Sequence, residues 1–375
     1  MIRINLYKTD PHGLSHHAAA VVVTGSCVVR SASVKKYAFM FAKSRKILLP
    51  SFLTVGFVLT LSGWGDAQRL EKIRSGYNAM TGVTSALWVA RDAGFMAKNG
   101  LDVEFIYIES GSRITQAMMA GDVQIGQTGS GASIQARARG ADTVIVLSVM
   151  PTVPFQVISR PEIKKPEGLL GKKIGISTFG STTDFAARYF LERFELKVGR
   201  DVVILQVGGQ PTRLAALKQG AIHATLLGAP ALLVARQLGF NILTDLAEIG
   251  FKYDYGSIAT TRSFIGSNRE GVRKFTRAYV EGTHFLKTHK EESKKILGRH
   301  LKENDPAVLE ETYAYYAEKT AAAPYPTREG VQPVIEQLLG SFKGEKPRLA
   351  FEDVADQSFV RELEQSGFLR SLYRK

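Results

Sequence analysis

The chain has 375 residues, of which 49 are lysine or arginine and 35 are aspartate or glutamate, so its formal net charge is +14. The basic residues are scattered among glutamates, and no basic stripe carries stacking aromatic residues, which argues against a nucleic-acid-binding protein. Cys27 is the only cysteine, and this excludes an intrachain disulfide.

Between Lys43 and Ala67, a short basic run is followed by an apolar run and then by small residues. This order is typical of a secretory signal peptide, and the apolar run is shorter than the roughly 20 residues that a membrane-spanning helix needs. We therefore expect translation from Met40, removal of residues 40–67 as a signal peptide, and a periplasmic mature protein. Residues 1–39 then represent a misassigned start; the alternative is a genuine N-terminal extension.

The expected mature chain, residues 68–375, has 308 residues with 41 basic and 33 acidic side chains, a net charge of +8. This length is enough for two lobes of ordinary domain size with a substantial core. The mature chain contains no cysteine, which excludes cysteine-ligated zinc and cysteine nucleophiles. The modest excess of positive charge mildly favours anionic ligands or surfaces, but because the basic residues are interleaved with glutamates a solvated surface is the better interpretation.

Short β-type runs alternate with helical stretches through the first two thirds of the mature chain, which predicts an α/β fold with mostly parallel sheets flanked by helices. From Asn268 onward the apolar residues follow helical spacing, and Asp305-Pro306 combines an N-cap acid with a first-turn proline, so the C-terminal third is predicted to be helical. The predicted strands are 73–77, 103–108, 123–126, 144–149, 155–159, 173–177, 202–207 and 224–227. The predicted helices before residue 268 are 85–98, 113–120, 182–194 and 212–219.

Residues 118–126 resemble residues 217–225, since each copy reads as a helix end, a glycine and a buried strand. The glycine is typical of a left-handed helix terminator, and two copies are expected if two similar lobes each contain this unit. The alternative is a chance likeness between two common connections. Arg113 and Arg213 lie in the first turns of the helices before these glycines, where an arginine opposes the helix dipole. Each is either kept for another partner or simply exposed.

Loops rich in glycine, serine and threonine follow several predicted strands. At that edge of a parallel sheet, helix N-termini present free backbone N–H groups and a partial positive charge, so the loops are candidate sites for an anion. Capping of the local helix is the alternative role for each hydroxyl. We find no phosphate loop, nucleophile elbow or His-Glu-x-x-His motif, so the sequence predicts binding without catalysis, cofactor or metal.

Several blocks in order resemble the solute-binding proteins of ABC transporters in the nitrate, sulfonate and taurine uptake group. The resemblance covers nearly all of residues 70–370. No single block identifies the family, but the occurrence of all the blocks in this order is specific for it. The blocks are residues 86–96 with 100–103, 120–126, 170–177 with 180–181, 229–230, 259–262 and 277–282.

The resemblance implies a two-lobed periplasmic binding protein fold of type II. Lobe 1 would hold residues 68–152 and 256–375, and lobe 2 would hold residues 153–255. The ligand would lie between the lobes. By this resemblance the ligand-binding residues are Tyr77, Asn78 and Thr81, then Thr128, Gly129 and Ser130, then Ser181, Thr182 and Thr183, and the position of Ala229. Many members have an acid at this last position, so Ala229 argues against a ligand cation held there.

The implied function is capture of a small organic anion or polar molecule, with a sulfonate or carboxylate favoured, and delivery to an inner-membrane ABC permease and its ATPase. We expect a monomer. Two alternatives are an enzyme on the same bilobal fold, such as a lyase, a hydrolase or a pyrimidine synthase-like protein, and a sensor that presents its ligand to a membrane receptor. The missing thiol argues against the relatives that use cysteine.

Overall fold

The computed structural model describes residues 69–342 and 345–374. The expected signal peptide and Cys27 lie outside the described residues, so the leader stays a prediction. Within the described part, none of the helices combines the length and apolar character that a membrane crossing requires.

The first sheet has five strands in the order β2-β1-β3-β12-β4. The pairs β1–β2 and β1–β3 are parallel, while β12 is antiparallel to both of its neighbours, so four strands run one way and β12 runs the other. The strands of this sheet are β1 (Glu71–Tyr77), β2 (Leu101–Tyr107), β3 (Ile125–Gln127), β4 (Thr143–Leu147) and β12 (Ile258–Thr261).

The second sheet has the same plan, in the order β10-β6-β9-β7-β8. The pairs β7–β8 and β7–β9 are parallel, and β6 is the single reversed strand. The predicted α/β fold with two mostly parallel sheets is therefore confirmed. The strands of this sheet are β6 (Gln156–Ser159), β7 (Lys172–Ile176), β8 (Val202–Gln206), β9 (Ala224–Leu227) and β10 (Asn241–Asp245).

The chain leaves the first sheet after β4 and returns to it as β12. A separate antiparallel pair, β5 (Met150–Thr152) and β11 (Lys252–Tyr255), lies at these two passages, and we call β5 and β11 the passage strands. The ends of β5 and β11 coincide with the lobe boundaries implied above. The division into lobes itself stays a prediction.

The helices flank the sheets and dominate the C-terminal third, as predicted. Gly94, with a φ of +83°, divides the predicted helix 85–98 into two, and the long helix begins at Arg262 with a non-helical residue, Asn268, inside it. The Asp305 carboxylate accepts hydrogen bonds from the N–H groups of Ala307 and Val308 at 2.8 and 3.3 Å, which is the predicted N-cap. The helices are α1 (Ser85–Asp92), α2 (Phe95–Lys98), α3 (Gly111–Met119), α4 (Ser130–Ala138), α5 (Thr182–Arg193), α6 (Gln210–Lys218), α7 (Ala231–Gln237), α8 (Arg262–Thr288), α9 (Lys290–Leu301), α10 (Pro306–Lys319), α11 (Arg328–Gly340), α12 (Phe351–Val354), α13 (Ser358–Gln365) and α14 (Phe368–Tyr373).

Helix α1 anchors the core beside the first sheet. Leu87, Trp88 and Val89 are fully buried, and the helix packs against α8 and α9. At Gly282 of α8 a Cβ would lie 2.7 Å from the Cβ of Ala90, so only glycine permits this close approach of the two helices. Full burial of an aliphatic side chain such as Leu87 stabilises the fold by roughly 1.5–3 kcal/mol.

The internal repeat is visible in the fold. Strands β3 and β9 occupy the same central place in their sheets, and the preceding glycines, Gly121 and Gly220, have φ values of +80° and +76°. Because these glycines are 99 positions apart (121 and 220), Arg213 corresponds to Ile114 and not to Arg113. The two arginines that the sequence analysis placed in first helical turns are therefore one position apart in the repeat.

Candidate ligand-binding site

A small cavity of about 30 Å³ lies where the carboxyl ends of strands from both sheets meet. Residues after β1 and β2 contribute from the first sheet, and the starts of α5 and α6 contribute from the second. Strand ends and helix N-termini of an open α/β sheet are where ligands usually bind. The lining residues are Asn78, Ala79, Glu109, Phe155, Ser177, Ser181, Thr182, Thr183, Gly209, Gln210, Arg213 and Tyr255.

Arg213 is the principal charged group of this cavity. Its side chain is only 2% exposed, and its guanidinium donates to Thr225 Oγ1 at 3.0 Å and to the carbonyl oxygens of Gly208 and Leu226 at 2.6 and 3.0 Å. Burial lowers the pKa of Arg213 to about 10, so the group remains a cation at neutral pH. Among residues 69–342 and 345–374, no carboxylate forms an ion pair with it.

Gln210 lies one turn before Arg213, at the first position of α6. Its Oε1 accepts a hydrogen bond from the N–H of Gly228 at 2.9 Å, which fixes the amide and leaves Nε2 as the donor available to the cavity. Pro211 has no N–H, but the N–H groups of Gln210 and Thr212 in the first turn of α6 lack intrahelical acceptors, and the helix dipole adds partial positive charge. The start of α6 thus combines a buried cation with neutral donors, a set suited to an oxyanion.

The hydroxyls at the start of α5 have protein partners as well as a place in the cavity wall. Ser181 Oγ accepts from the N–H of Asp184, Thr183 Oγ1 accepts from the N–H of Ser177 at 2.9 Å, and Thr182 Oγ1 accepts from the Tyr253 hydroxyl at 3.1 Å. Capping and ligand binding, the two roles separated in the sequence analysis, are therefore both compatible with these residues.

The remaining predicted residues lie mostly outside the cavity lining. Asn78 lines it, but in the orientation that satisfies its amide the side chain accepts from Gly111 N–H and donates to Gln127 O. Tyr77 packs edge-on against Trp88 with ring centres 5.9 Å apart. Ala229 lines a separate cavity of about 130 Å³ beside Tyr315.

The other four predicted residues are buried close to the passage strands. Thr81 is fully buried, and its hydroxyl has no hydrogen-bond partner among the described residues. The N–H groups of Thr128 and Gly129 both donate to Ser257 O, at 2.9 and 3.4 Å, and Ser130 begins α4. The assignment of these residues to the ligand site stays a prediction.

Polar contacts join loops of the two sheets next to cavity-lining residues. Ser110 and Ser112, after β2, hydrogen-bond to Thr178 after β7, the second of these pairs at 2.8 Å. On another side, Gly131 N–H donates to the Tyr253 hydroxyl at 2.8 Å, and that hydroxyl donates to Thr182. The elements that carry the two sheets therefore touch directly through hydroxyl groups around the cavity.

Sequence reasoning singled out Arg213 without assigning it to the site, and it missed Glu109, Gln210 and Tyr255. The available signal was the arginine itself, since a cation in a first helical turn opposes the dipole. A second signal was the pair Gly208-Gly209 before α6, where side chains from the other sheet approach the backbone closely. Neither signal predicts that the Arg213 side chain is buried, because its burial depends on contacts with distant parts of the chain.

Thr182→Ala is expected to weaken ligand binding by at least about tenfold, roughly 1.4 kcal/mol, if its hydroxyl also contacts the ligand. Thr183→Ala is the matched comparison at the next position. It leaves the buried Ser177 N–H without its acceptor and should lower the free energy of unfolding by about 1–3 kcal/mol. Calorimetric titration and urea unfolding of both variants separate the two effects. Unchanged affinity in both variants would assign this loop to capping alone.

Two mostly parallel sheets, with a polar cavity at their strand ends and a buried cation in its wall, are the arrangement of the periplasmic binding fold. Residues 82–293 match the sequence profile of the family described as NMT1/THI5 like, and this match covers more than half of the chain. The chain belongs to that family. The family resemblance stated in the sequence analysis is thereby confirmed.

Known proteins similar to this chain point the same way. The taurine-binding periplasmic protein of Escherichia coli K12 is 31% identical over 161 residues, which are 42% of this chain and 49% of that protein, so the match spans about half of the relative's length. A solved structure from Bordetella bronchiseptica has a TM-score of 0.71 at 21% identity and covers 79% of this chain and 97% of that one. The alkanesulfonate-binding protein of Xanthomonas axonopodis pv. citri bound to MOPS has a TM-score of 0.65 at 20% identity, covering 76% and 98%. The structural likenesses show the fold.

Proposed function

We propose that the protein is a solute-binding protein of an ABC importer that captures a small organic anion between two lobes. The observation that carries this proposal is Arg213, a buried cation in the cavity wall with no carboxylate partner in the described part of the chain. The carboxylate of Glu109 lines the same cavity and partly offsets the effect of burial on the pKa of Arg213, but it forms no salt bridge with Arg213. A buried charge without a direct ion-pair partner is costly, and an anionic ligand would supply that partner. A sulfonate or a carboxylate suits this site, and two of the relatives above are named for binding taurine and alkanesulfonates.

The proposed mechanism is closure of two lobes, residues 68–152 with 256–375 and residues 153–255, about the strands β5 and β11. Ligand contacts from both lobes would favour the closed form by their differential affinity for it. The hydroxyl contacts of Ser110 and Ser112 with Thr178 join the two proposed lobes and would add to the closed form alone. The closed protein would then dock on an inner-membrane permease driven by its ATPase, acting as a monomer.

A thermal-shift panel of small sulfonates, carboxylates and nitrate on residues 68–375 tests the ligand class. A true ligand at 100 times its Kd adds roughly 2.7 kcal/mol to the free energy of unfolding. Stabilisation by an organic anion, and its absence with the uncharged alcohol of the same size, is the expected result. Mass spectrometry of the recovered ligand after long incubation tests the enzyme alternative. The proposal requires the ligand to be unchanged, and conversion to product would make the protein an enzyme.

Export to the periplasm through cleavage after Ala67 belongs to the same proposal. The charge, length and small-residue order between Lys43 and Ala67 support it. The intact mass of protein recovered from a periplasmic extract should correspond to a chain that begins at Gln68. A secreted product that retains Cys27 would contradict both the cleavage and the start at Met40.

A further inference from the structure

Thr225, in the central strand β9, joins Arg213 to the neighbouring strand β7. Its Oγ1 accepts from Arg213 Nε at 3.0 Å and donates to the carbonyl oxygen of Gly175 at 2.8 Å. The direction of both bonds is fixed, because a guanidinium only donates and a carbonyl oxygen only accepts. Thr225 is fully buried, so both bonds lie in the interior. Its hydroxyl proton is therefore committed to Gly175, and its oxygen holds Arg213.

Protein acceptors hold three of the five N–H groups of the Arg213 guanidinium. The Nε–H donates to Thr225, and Nη1 and Nη2 donate to the carbonyl oxygens of Gly208 and Leu226 at 2.6 and 3.0 Å. Glu109 interacts with Arg213 electrostatically but does not hydrogen-bond to it in the described part of the chain. Each terminal nitrogen therefore keeps one N–H that an anionic group can accept.

The internal repeat has an apolar contact where this polar pair lies in the second sheet. Its offset of 99 positions (121 and 220) relates Arg213 to Ile114 and Thr225 to Gly126. A Cβ at Gly126 would lie 2.4 Å from Ile114 Cγ2, so the isoleucine packs directly onto the backbone of the glycine. The first sheet therefore makes the same helix-to-strand contact without a polar group.

The strand register supports this correspondence. Gly126 pairs with Gly76 of the parallel neighbour β1. Thr225 pairs with Gly175 of the parallel neighbour β7, and positions 76 and 175 again differ by 99. Since the other half of the fold uses isoleucine and glycine, the fold itself does not require a cation and a hydroxyl at these two positions. Burying a guanidinium is costly, and its presence in the second sheet alone indicates a role in binding.

We propose that Thr225 is a positioning residue for ligand binding, whose hydroxyl orients the Arg213 guanidinium so that its two remaining N–H groups reach the anionic group of the ligand. This inference rests on the proposed function and names the residue behind its cation. Without the hydroxyl, the Nε–H would lose its acceptor and the guanidinium could turn. A hydrogen bond weakens steeply as its angle departs from linear, so the turn would weaken binding although the charge remains.

Thr225→Val removes the hydroxyl and keeps the branched shape, while Thr225→Ser keeps the hydroxyl. Calorimetric titration of residues 68–375 with ethanesulfonate, propionate and nitrate identifies the probe that binds the wild type most tightly. We expect Thr225→Val to weaken binding of that probe by about tenfold or more, and Thr225→Ser to bind it within about threefold of the wild type. Thr225→Ala replaces the valine variant if that variant does not fold.

Thr260→Val is the matched control. Thr260 is also fully buried in a strand, and its Oγ1 donates to the carbonyl oxygen of Gln124 at 2.7 Å in the first sheet. The control should lower the free energy of unfolding in urea and keep the wild-type affinity for the same probe.

A spectroscopic readout separates positioning from a general loss of stability. The Arg213 Nε–H signal in a proton–nitrogen correlation spectrum is assigned by its absence in Arg213→Lys. In Thr225→Val this signal should shift and exchange faster with solvent, whereas Thr225→Ser should keep its slow exchange and Thr260→Val should leave it unchanged. The measurement needs no ligand.

A double variant, Arg213→Ile with Thr225→Gly, copies the pair of the first sheet into the second. It should unfold cooperatively in urea and bind none of the three probes. A double variant that does not fold would show that the polar pair is required by the fold, and this would overturn the argument from the repeat.

The remaining outcomes separate the two levels of inference. Wild-type affinity in Thr225→Val, an unchanged Nε–H signal in that variant, or equal losses of affinity in Thr225→Val and Thr225→Ser would overturn the positioning role and leave anion binding by Arg213 intact. Failure of all three probes to bind the wild type, with no stabilisation in the wider anion panel, would overturn the proposed function itself.

Discussion

Arg213→Gln is expected to weaken binding of the anion found in the screen by about 10- to 100-fold, because a hydrogen bond to a charged group contributes roughly 1.5–3 kcal/mol. The guanidinium is 2% exposed and lines the cavity, and it forms no salt bridge with a carboxylate in the described part of the chain. Isothermal titration calorimetry of the mature protein measures the loss directly.

The controls for Arg213 come from the repeat and from the chemistry of the cation. Arg113 lies in the first turn of α3 with its side chain exposed, so Arg113→Gln should bind normally. Arg213→Lys keeps the charge but loses the planar guanidinium and its paired N–H donors, so we expect an affinity between those of the wild type and Arg213→Gln. Normal binding by Arg213→Gln would remove the buried cation from the site. If Arg213→Gln fails to fold, Arg213→Lys provides the test. Wild-type affinity in Arg213→Lys would show that a positive charge alone suffices, and loss of binding would show that the guanidinium is required.

The fold was largely predictable where local sequence and tertiary contacts agree. Strand β9 was predicted at its exact bounds because four consecutive apolar or β-branched residues follow a helix-ending glycine. The start of α5 at Thr182 followed from Ser181, whose side chain caps it. In both places the residues that specify the local structure are neighbours in sequence.

Strands β5, β11 and β12, which lie where the chain passes between the two sheets, could not be predicted in the same way. Strand β11 pairs with β5, and β12 lies between β3 and β4, so the partners of each are more than 90 residues away in the chain. Each of these strands is only three or four residues long, too short for a period to be read. Their formation depends on distant partners, which a local pattern does not contain.

The candidate site was predictable in position but not in composition. The rule that ligands bind at the carboxyl ends of strands placed it at the loops after β1, β3, β7 and β9, of which those after β1 and β7 line the cavity. It did not tell which side chains of those loops face the cavity. Tyr77 ends β1 and packs into an aromatic cluster, while Arg213, four residues into α6, becomes buried against Thr225 and Leu226 of β9.

The second large effect is expected at Asp254, a fully buried carboxylate in the passage strand β11. One of its oxygens accepts from the Ser148 hydroxyl, and the other, Oδ2, has no hydrogen-bond partner among the described residues. The phenols of Tyr253 and Tyr279 are the titratable groups near it, and burial raises the pKa of both. No described cation pairs with this carboxylate, so the protonated form is favoured in the fold.

Burial raises the pKa of Asp254 from 3.8 to about 7. The folded chain therefore holds a proton between about pH 4 and pH 7 that the unfolded chain has released. The contribution of this group to the free energy of unfolding is fully present below the lower pKa and is lost as the pH rises through the upper one. At about 1.4 kcal/mol per pKa unit, the loss is on the order of 4 kcal/mol.

Asp254→Asn keeps the shape of the side chain and cannot titrate, so the variant should be more stable than the wild type at pH 8 and should lack this loss. Urea unfolding from pH 4.5 to 8.5 gives the free energy of unfolding of both proteins, and the difference between them isolates the contribution of Asp254 because the other titrating groups cancel.

Asp142→Asn is the matched control of opposite sign. The Ser263 hydroxyl lowers the pKa of Asp142, so that carboxylate stabilises the fold above the unfolded pKa and its loss should destabilise at pH 8. A difference between wild type and Asp254→Asn that does not change with pH would mean that the carboxylate is ionised in the fold, held by a donor at Oδ2. Its removal would then destabilise the passage strand at every pH, because Ser148 and that donor would both lose a charged acceptor.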